Sequence, residues 1–182
     1  KFGDMNLRIN GPVTKFVERW SDAVKDAKNW DERILISYDL YAGARLEKAS
    51  RARFLLLVMA IESLVEQEKR PEEEINLIDQ LIKSIRGSGL APTKKEPLVS
   101  GIGMLKKQSI GHSCRTYLSN MVSAGIISQP DAPKIFTECY QLRGKMTHSG
   151  ITPPPSSLSH HSNQLEEIVK EVLIALLENR VP

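Results

Sequence analysis

The stretch Tyr140–Gly150, YQLRGKMTHSG, holds an arginine and a histidine with four residues between them. Arg143 supplies a permanently charged planar fork, suited to gripping an anion through two parallel hydrogen bonds. His148 supplies an imidazole, a group whose ordinary titration near neutral pH suits proton transfer, worth typically ~10²–10⁴ in rate. One group can clamp a phosphate while the other moves a proton. Tyr140 and Thr147 lie on the Arg143 side of the same segment and offer hydroxyls to a bound phosphate. The pair also has a plainer use. Cations near a helix C-terminus interact favourably with the last carbonyls and the negative end of the dipole.

Helical geometry restricts what the pair can do. Each residue advances about 100°, and Ile135, Cys139, Leu142 and Met146 form an apolar row. From that row Arg143 falls roughly 70° to one side and His148 roughly 150° to the other, so the two stand about 140° apart. Within one chain and on a regular helix they do not converge. Either the last turn unwinds before Gly150, or a second copy brings its own pair alongside, as a two-fold contact does. Glu62 is the supporting candidate. It sits among Leu56, Ala60, Ile61 and Leu64, company in which a carboxylate needs a partner. It either contacts Arg143 and fixes its direction, or occupies a rim and faces water.

The elements that must hold these groups are read from periodicity. Val13, Phe16, Val17, Trp20, Val24 and Ala27 make one apolar stripe behind Gly11-Pro12. Asp31 suits the N-cap of a second helix, with a kink expected near Gly43. Arg51–Glu68 is apolar on all faces around Leu55–Ile61 and belongs at the centre of a bundle. Pro71 and Glu72, Glu73 and Glu74 open a helix carrying Ile75, Ile78, Leu81, Ile82 and Ile85. Residues 94–111, broken by Gly101 and Gly103, read as a short helix or an irregular loop. Ile110 to Val122 is again amphipathic. Asp131 and Pro133 open the Arg143 helix, and Gly150 closes it. TPPPSSLSHHS reads as a linker before a last helix at about Asn163–Asn179. No alternating strand pattern is present. The fold class is all-α, one helical domain over 1–182 with about six or seven helices.

Composition narrows the function classes. The 182 residues carry a net charge of +3, which permits nucleic acid as a partner without arguing for it. The two cysteines, Cys114 and Cys139, cannot build a disulfide framework and point to a reducing, cytoplasmic setting. The longest apolar run, Phe54–Ile61, is too short to span a bilayer, so no membrane partner is expected. His112 and Cys114, or His160 and His161 in the linker, lack zinc spacing, so no metal is expected. Gly101-Ile102-Gly103 lacks the rest of a nucleotide fingerprint, and no cofactor is expected. RLEKASRAR, Arg45–Arg53, reads as a solvated face with Glu47 partnering Lys48 or Arg51. Lys94–Lys95 and Lys106–Lys107 read the same way. The first residue is Lys1, which suggests a domain excised from a longer chain with an N-terminal companion.

Two longer segments carry a family resemblance. ARFLLLVMAIESLV, Ala52–Val65, is similar to the central helix of the Apea-like branch of HEPN domains. FTECYQLRGKMTHSG, Phe136–Gly150, fits the superfamily's R-x(4–6)-H signature. The similarity extends from about Tyr38 to the C-terminus. The resemblance implies a helical bundle that forms a homodimer and places both Arg–His pairs in a shared cleft, where active members cut RNA without metal. Arg143 and His148 are the matching catalytic positions. RNA would supply its own 2′-hydroxyl nucleophile and leave a 2′,3′-cyclic phosphate and a 5′-hydroxyl. Active members usually carry a polar residue, often Asn, after the arginine, and here that position is Gly144. Two expectations follow from the resemblance. One is a metal-independent endoribonuclease acting in defence or toxin-type RNA cleavage. The other is a non-catalytic dimerisation or RNA-binding module of a larger protein.

Overall fold

The computed structural model of the chain describes residues 31–151 and 153–178. The stripe at Val13–Ala27 lies outside the described residues. Seven helices follow in order: α1 Glu32–Leu46, α2 Ser50–Ser63, α3 Glu72–Gly87, α4 Pro92–Met104, α5 Ile110–Ser123, α6 Ala132–Ser149 and α7 Pro155–Leu177. Among the described residues there is no strand; one isolated antiparallel bridge joins Lys69 to Lys107. This is an all-α bundle. No helix among the described residues is long and apolar enough to cross a membrane.

α2 takes the central place that its composition demands. Phe54, Leu57, Val58, Ala60 and Ile61 are buried, and the helix packs on α1, α5, α6 and α7. A helix apolar around its circumference is stable only when surrounded, and the larger of these side chains, Phe54, Leu57, Val58 and Ile61, each contribute about 1.5–3 kcal/mol on full burial. Ser37 of α1 donates a buried hydrogen bond of 2.8 Å to the Ala60 carbonyl, tying the two helices together. α1 itself runs unbroken through Gly43, with the Asp31 side chain accepting from the Arg33 amide as its N-cap.

Two boundaries differ from the periodic reading. α2 ends at Ser63, not near Glu68, because the following backbone pairs elsewhere. Gln108 donates to the Glu68 carbonyl at 2.8 Å and Arg70 donates to the Lys106 carbonyl at 2.9 Å. Of the two alternatives for residues 94–111, the short helix is the one formed, over Pro92–Met104, despite Pro97 and two glycines. The segment taken for a linker is mostly helix: α7 opens at Pro155, where proline's missing N–H costs nothing, and Leu158 and Ser162 extend its buried row. His160 and His161 are therefore helical, and the His161 Nδ1 lies 2.7 Å from the Ser157 carbonyl.

α3 and α4 pair chiefly with each other. Of the expected apolar side only Ile78 and Ile82 are buried, and Leu81 is exposed. Elsewhere the charge pattern resolves differently from the local reading. Glu47 accepts from the Ala49 amide at 2.7 Å. Arg45 and Arg53 instead reach across to Glu166 of α7, each pairing with one of its carboxylate oxygens. Glu166 is buried, and burial alone would raise its pKa; the hydrogen bonds from Arg45 and Arg53 outweigh that and hold it below the usual carboxylate value. Lys106 pairs with Asp79 at 2.7 Å, and Lys95 donates to the Arg86 carbonyl at 2.8 Å.

Candidate functional site

α6 presents its buried face through Ala132, Phe136 and Cys139, whereas Ile135, Leu142 and Met146 are only half-buried. The apolar row inferred from spacing is thus rotated. The true buried face lies within about 20° of Arg143 and about 150° from His148. That rotation explains why the two candidates have such different surroundings. Arg143 is tucked against the bundle with its side chain 29% exposed, while His148 is exposed near the helix end. The last turn does not unwind. α6 stays helical through Ser149, Gly150 adopts the left-handed conformation at φ 65°, and Ile151 donates back to the Lys145 carbonyl at 3.2 Å. Asp131 occupies the N-cap position but makes no side-chain cap hydrogen bond.

Glu62, one residue from the end of α2, meets Arg143. Its Oε2 lies 3.7 Å from the guanidinium Nη2, a distance of Coulomb attraction and not of hydrogen bonding. Its Oε1 is buried without a hydrogen-bond partner. Burial pushes the Glu62 pKa above the ordinary value, and the Arg143 charge opposes that shift without cancelling it. The carboxyl is held in an unfavourable environment beside a cation whose hydrogen-bond donors it does not occupy.

Tyr140 completes the setting. Its ring centroid lies 5.9 Å from the Arg143 guanidinium carbon, within cation–π range. The ring is fixed from behind, because α5 approaches it at Gly111. A Cβ at Gly111 would stand 2.9 Å from the ring, so this helix crossing requires a residue without a side chain. Thr147 is turned inward to its own helix: its hydroxyl donates to the Arg143 carbonyl at 2.9 Å. Gly144 differs from Gly111, since a Cβ there meets nothing within 4 Å.

The remaining candidates separate. Cys114 is buried in the core, whereas His112 borders a surface cleft, so H-x-C is not a ligand pair. Cys114 and Cys139 are free buried thiols, each pushed up to about 12 by burial. No group of three or more His, Cys, Asp or Glu side chains able to hold a metal occurs among the described residues. The Glu166 clamp was missed by local charge reading, though a signal existed. Glu166 falls four residues after Ser162 and three before Val169, within the buried row of α7, where a carboxylate demands cations.

No family model matches the chain, and no curated protein or solved structure is significantly similar to it.

Proposed function

We propose that this chain is a HEPN-type domain whose paired copies cleave RNA, with Arg143 and His148 as the reacting pair. The observation that carries the reading is the state of Arg143. It is oriented by Glu62 at 3.7 Å and by the Tyr140 ring at 5.9 Å, yet its donors are not consumed by a bidentate carboxylate. A guanidinium so placed is preorganised for a phosphate. Because α6 is regular through Ser149, one chain cannot bring His148 onto the same phosphate. The complete site needs a second copy, with the guanidinium of one chain facing the imidazole of the other across a two-fold axis.

In this site Arg143 holds the non-bridging oxygens of a phosphodiester. His148 takes the proton of the 2′-hydroxyl as the 2′-oxygen bonds to phosphorus. The bond from phosphorus to the 5′-oxygen breaks, that oxygen takes a proton from solvent, and the His148 imidazolium gives its proton back to solvent. A cyclic phosphate and a 5′-hydroxyl result. Glu62 and Tyr140 position Arg143, and Thr147 joins the helix backbone instead of the substrate.

One observation favours a second reading, a non-catalytic dimerisation or RNA-binding module. Packing does not forbid a side chain at Gly144, so the polar group usual after this arginine is absent without a steric reason. Incubating the protein with RNA in EDTA separates the readings. The nuclease gives cyclic-phosphate ends that vanish in Arg143→Ala and in His148→Ala, and a mixture of the two variants regains activity through mixed dimers. RNA retention without cleavage, weakening steeply with salt, establishes the module instead.

A further inference from the structure

α3 and α4 form a hairpin joined by residues 88–91, and each packs chiefly on the other. The pair has little core of its own. Ile78 and Ile82 are the only fully buried side chains of α3, and α4 has none. α4 is also an unfavourable helix by composition. Pro97 removes a backbone donor from its interior, and Gly101 and Gly103 lower its intrinsic stability. A short helix of this kind depends on packing along one of its faces. Leu77, Leu81, Leu98 and Leu105 nevertheless stand open, from 46% exposed at Leu98 to 58% at Leu77.

The four leucines share one face of the hairpin. At about 100° per residue, Leu77 and Leu81 lie roughly 100° and 60° to one side of buried Ile78, with Ile75 and Glu72 roughly 60° and 120° to the other. In α4, Leu98 and Leu105 lie roughly 100° and 120° to one side of half-buried Val99, with Ser100 and Met104 roughly 100° and 140° to the other. Ile75, Glu72, Ser100 and Met104 line a common groove. The leucines therefore occupy the opposite face, an exposed apolar cluster of the kind that marks a contact surface. Charge selects the occupant. Glu73 and Glu74 stand in the first turn of α3, at the base of the hairpin, and Lys94 stands in the first turn of α4, at its tip. Glu74 is held by Arg70 at 2.8 Å, whereas Glu73 and Lys94 make no ion pair among the described residues. A face that is acidic at one end, apolar in the middle and basic at the other end complements itself when turned end for end.

We infer that the leucine face docks on the same face of a second copy of this chain, the two hairpins stacking end for end into a four-helix bundle. Glu73 of one copy then meets Lys94 of the other at both ends of the leucine seam. Four half-exposed leucines a side bury less than the ~1,200 Å² at which stable interfaces begin, so the contact is transient and forms above micromolar concentration. It is separate from the contact proposed at α6 and does not depend on it, since α3 and α4 carry neither Arg143 nor His148.

Sedimentation equilibrium of the whole protein, from micromolar to near-millimolar concentration, tests it. The average mass climbs toward twice its micromolar value. The Leu77→Glu/Leu81→Glu double variant weakens this association at least about tenfold while its circular dichroism at micromolar concentration is unchanged, because both leucines are exposed in the single copy. Glu73→Lys weakens it by about tenfold, since two attractive pairs become repulsive, and adding Lys94→Glu restores it. Rescue by the second reversal is a result that a misfolded hairpin does not give. Arg143→Ala and His148→Ala leave the doubling intact, which keeps this test separate from that of the nuclease. A mass that never exceeds its micromolar value, or a rise that the leucine variant leaves in place, overturns the inference. So does a leucine variant that loses thermal stability with no change in association, because the face is then covered from within its own chain.

Discussion

Arg143 holds its charge beside a carboxyl that burial drives toward neutrality. The sign of the resulting pH dependence follows from linkage. The Glu62 pKa is raised in the folded state, so the native protein binds that proton more readily than the unfolded chain. Stability is therefore fully present below the ordinary glutamate value and declines as pH rises through the raised one. Glu62→Gln should abolish this slope. Arg143→Ala should steepen it, move it to higher pH and cost about 1 kcal/mol near neutrality, because a part-buried carboxylate loses the cation beside it. Urea midpoints measured across weakly acidic to neutral pH check both. The cysteines give a second expectation at this scale. With both thiols pushed up to about 12 by burial, iodoacetamide should leave the native protein unlabelled at mildly alkaline pH and label both sites in guanidinium.

At the scale of elements, one substitution has opposite consequences at two glycines. Gly111→Ala drives a Cβ to 2.9 Å from the Tyr140 ring, overpacks the α5–α6 crossing and should cost about 1–3 kcal/mol. The ring it displaces is the one beside Arg143, so the site loses order together with the fold. Gly144→Ala meets nothing within 4 Å and removes a helix-interior glycine, which should stabilise by about 0.5–1 kcal/mol. Thermal melts of the two variants, side by side, read the contrast. Glu166 ties α7 to α1 and α2, and its pH dependence runs the other way from that of Glu62. Its pKa is depressed, so its contribution is present above the ordinary value and lost as pH falls through the depressed one. Glu166→Ala should cost about 2 kcal/mol at neutral pH, less than for a fully buried pair because Arg45 can turn to water, its side chain being 61% exposed. Chemical denaturation at neutral and acid pH measures both effects.

For the whole molecule, the proposed chemistry is a statement about assembly. A light-scattering mass of two chains is expected at micromolar concentration, and a protein monomeric at every concentration that still cleaves RNA would refute the shared site. The seven described helices show how far one-dimensional pattern reaches. The central position of α2, the start of α1 at Asp31, the α3 helix behind Pro71 and the end of α6 at Gly150 were all legible, because caps, glycines and periodic apolar residues act locally. The early end of α2 was not, since it depends on backbone bonds to residues 106–108, far along the chain. Nor was the helical identity of residues 155–162, where local turn signals yield to the burial of Leu158 against the core.

The candidate site divides along the same line. Residue types and spacing established an arginine and a histidine that one regular helix cannot bring together, because a fixed angular advance per residue is a property of the chain itself. Only the tertiary structure decided which side of that helix is buried, that Glu62 and Tyr140 converge on Arg143, and that Glu166 gathers Arg45 and Arg53 from over a hundred residues away. Such contacts depend on how helices cross, and the crossing is set by the shapes of side chains that are distant in sequence.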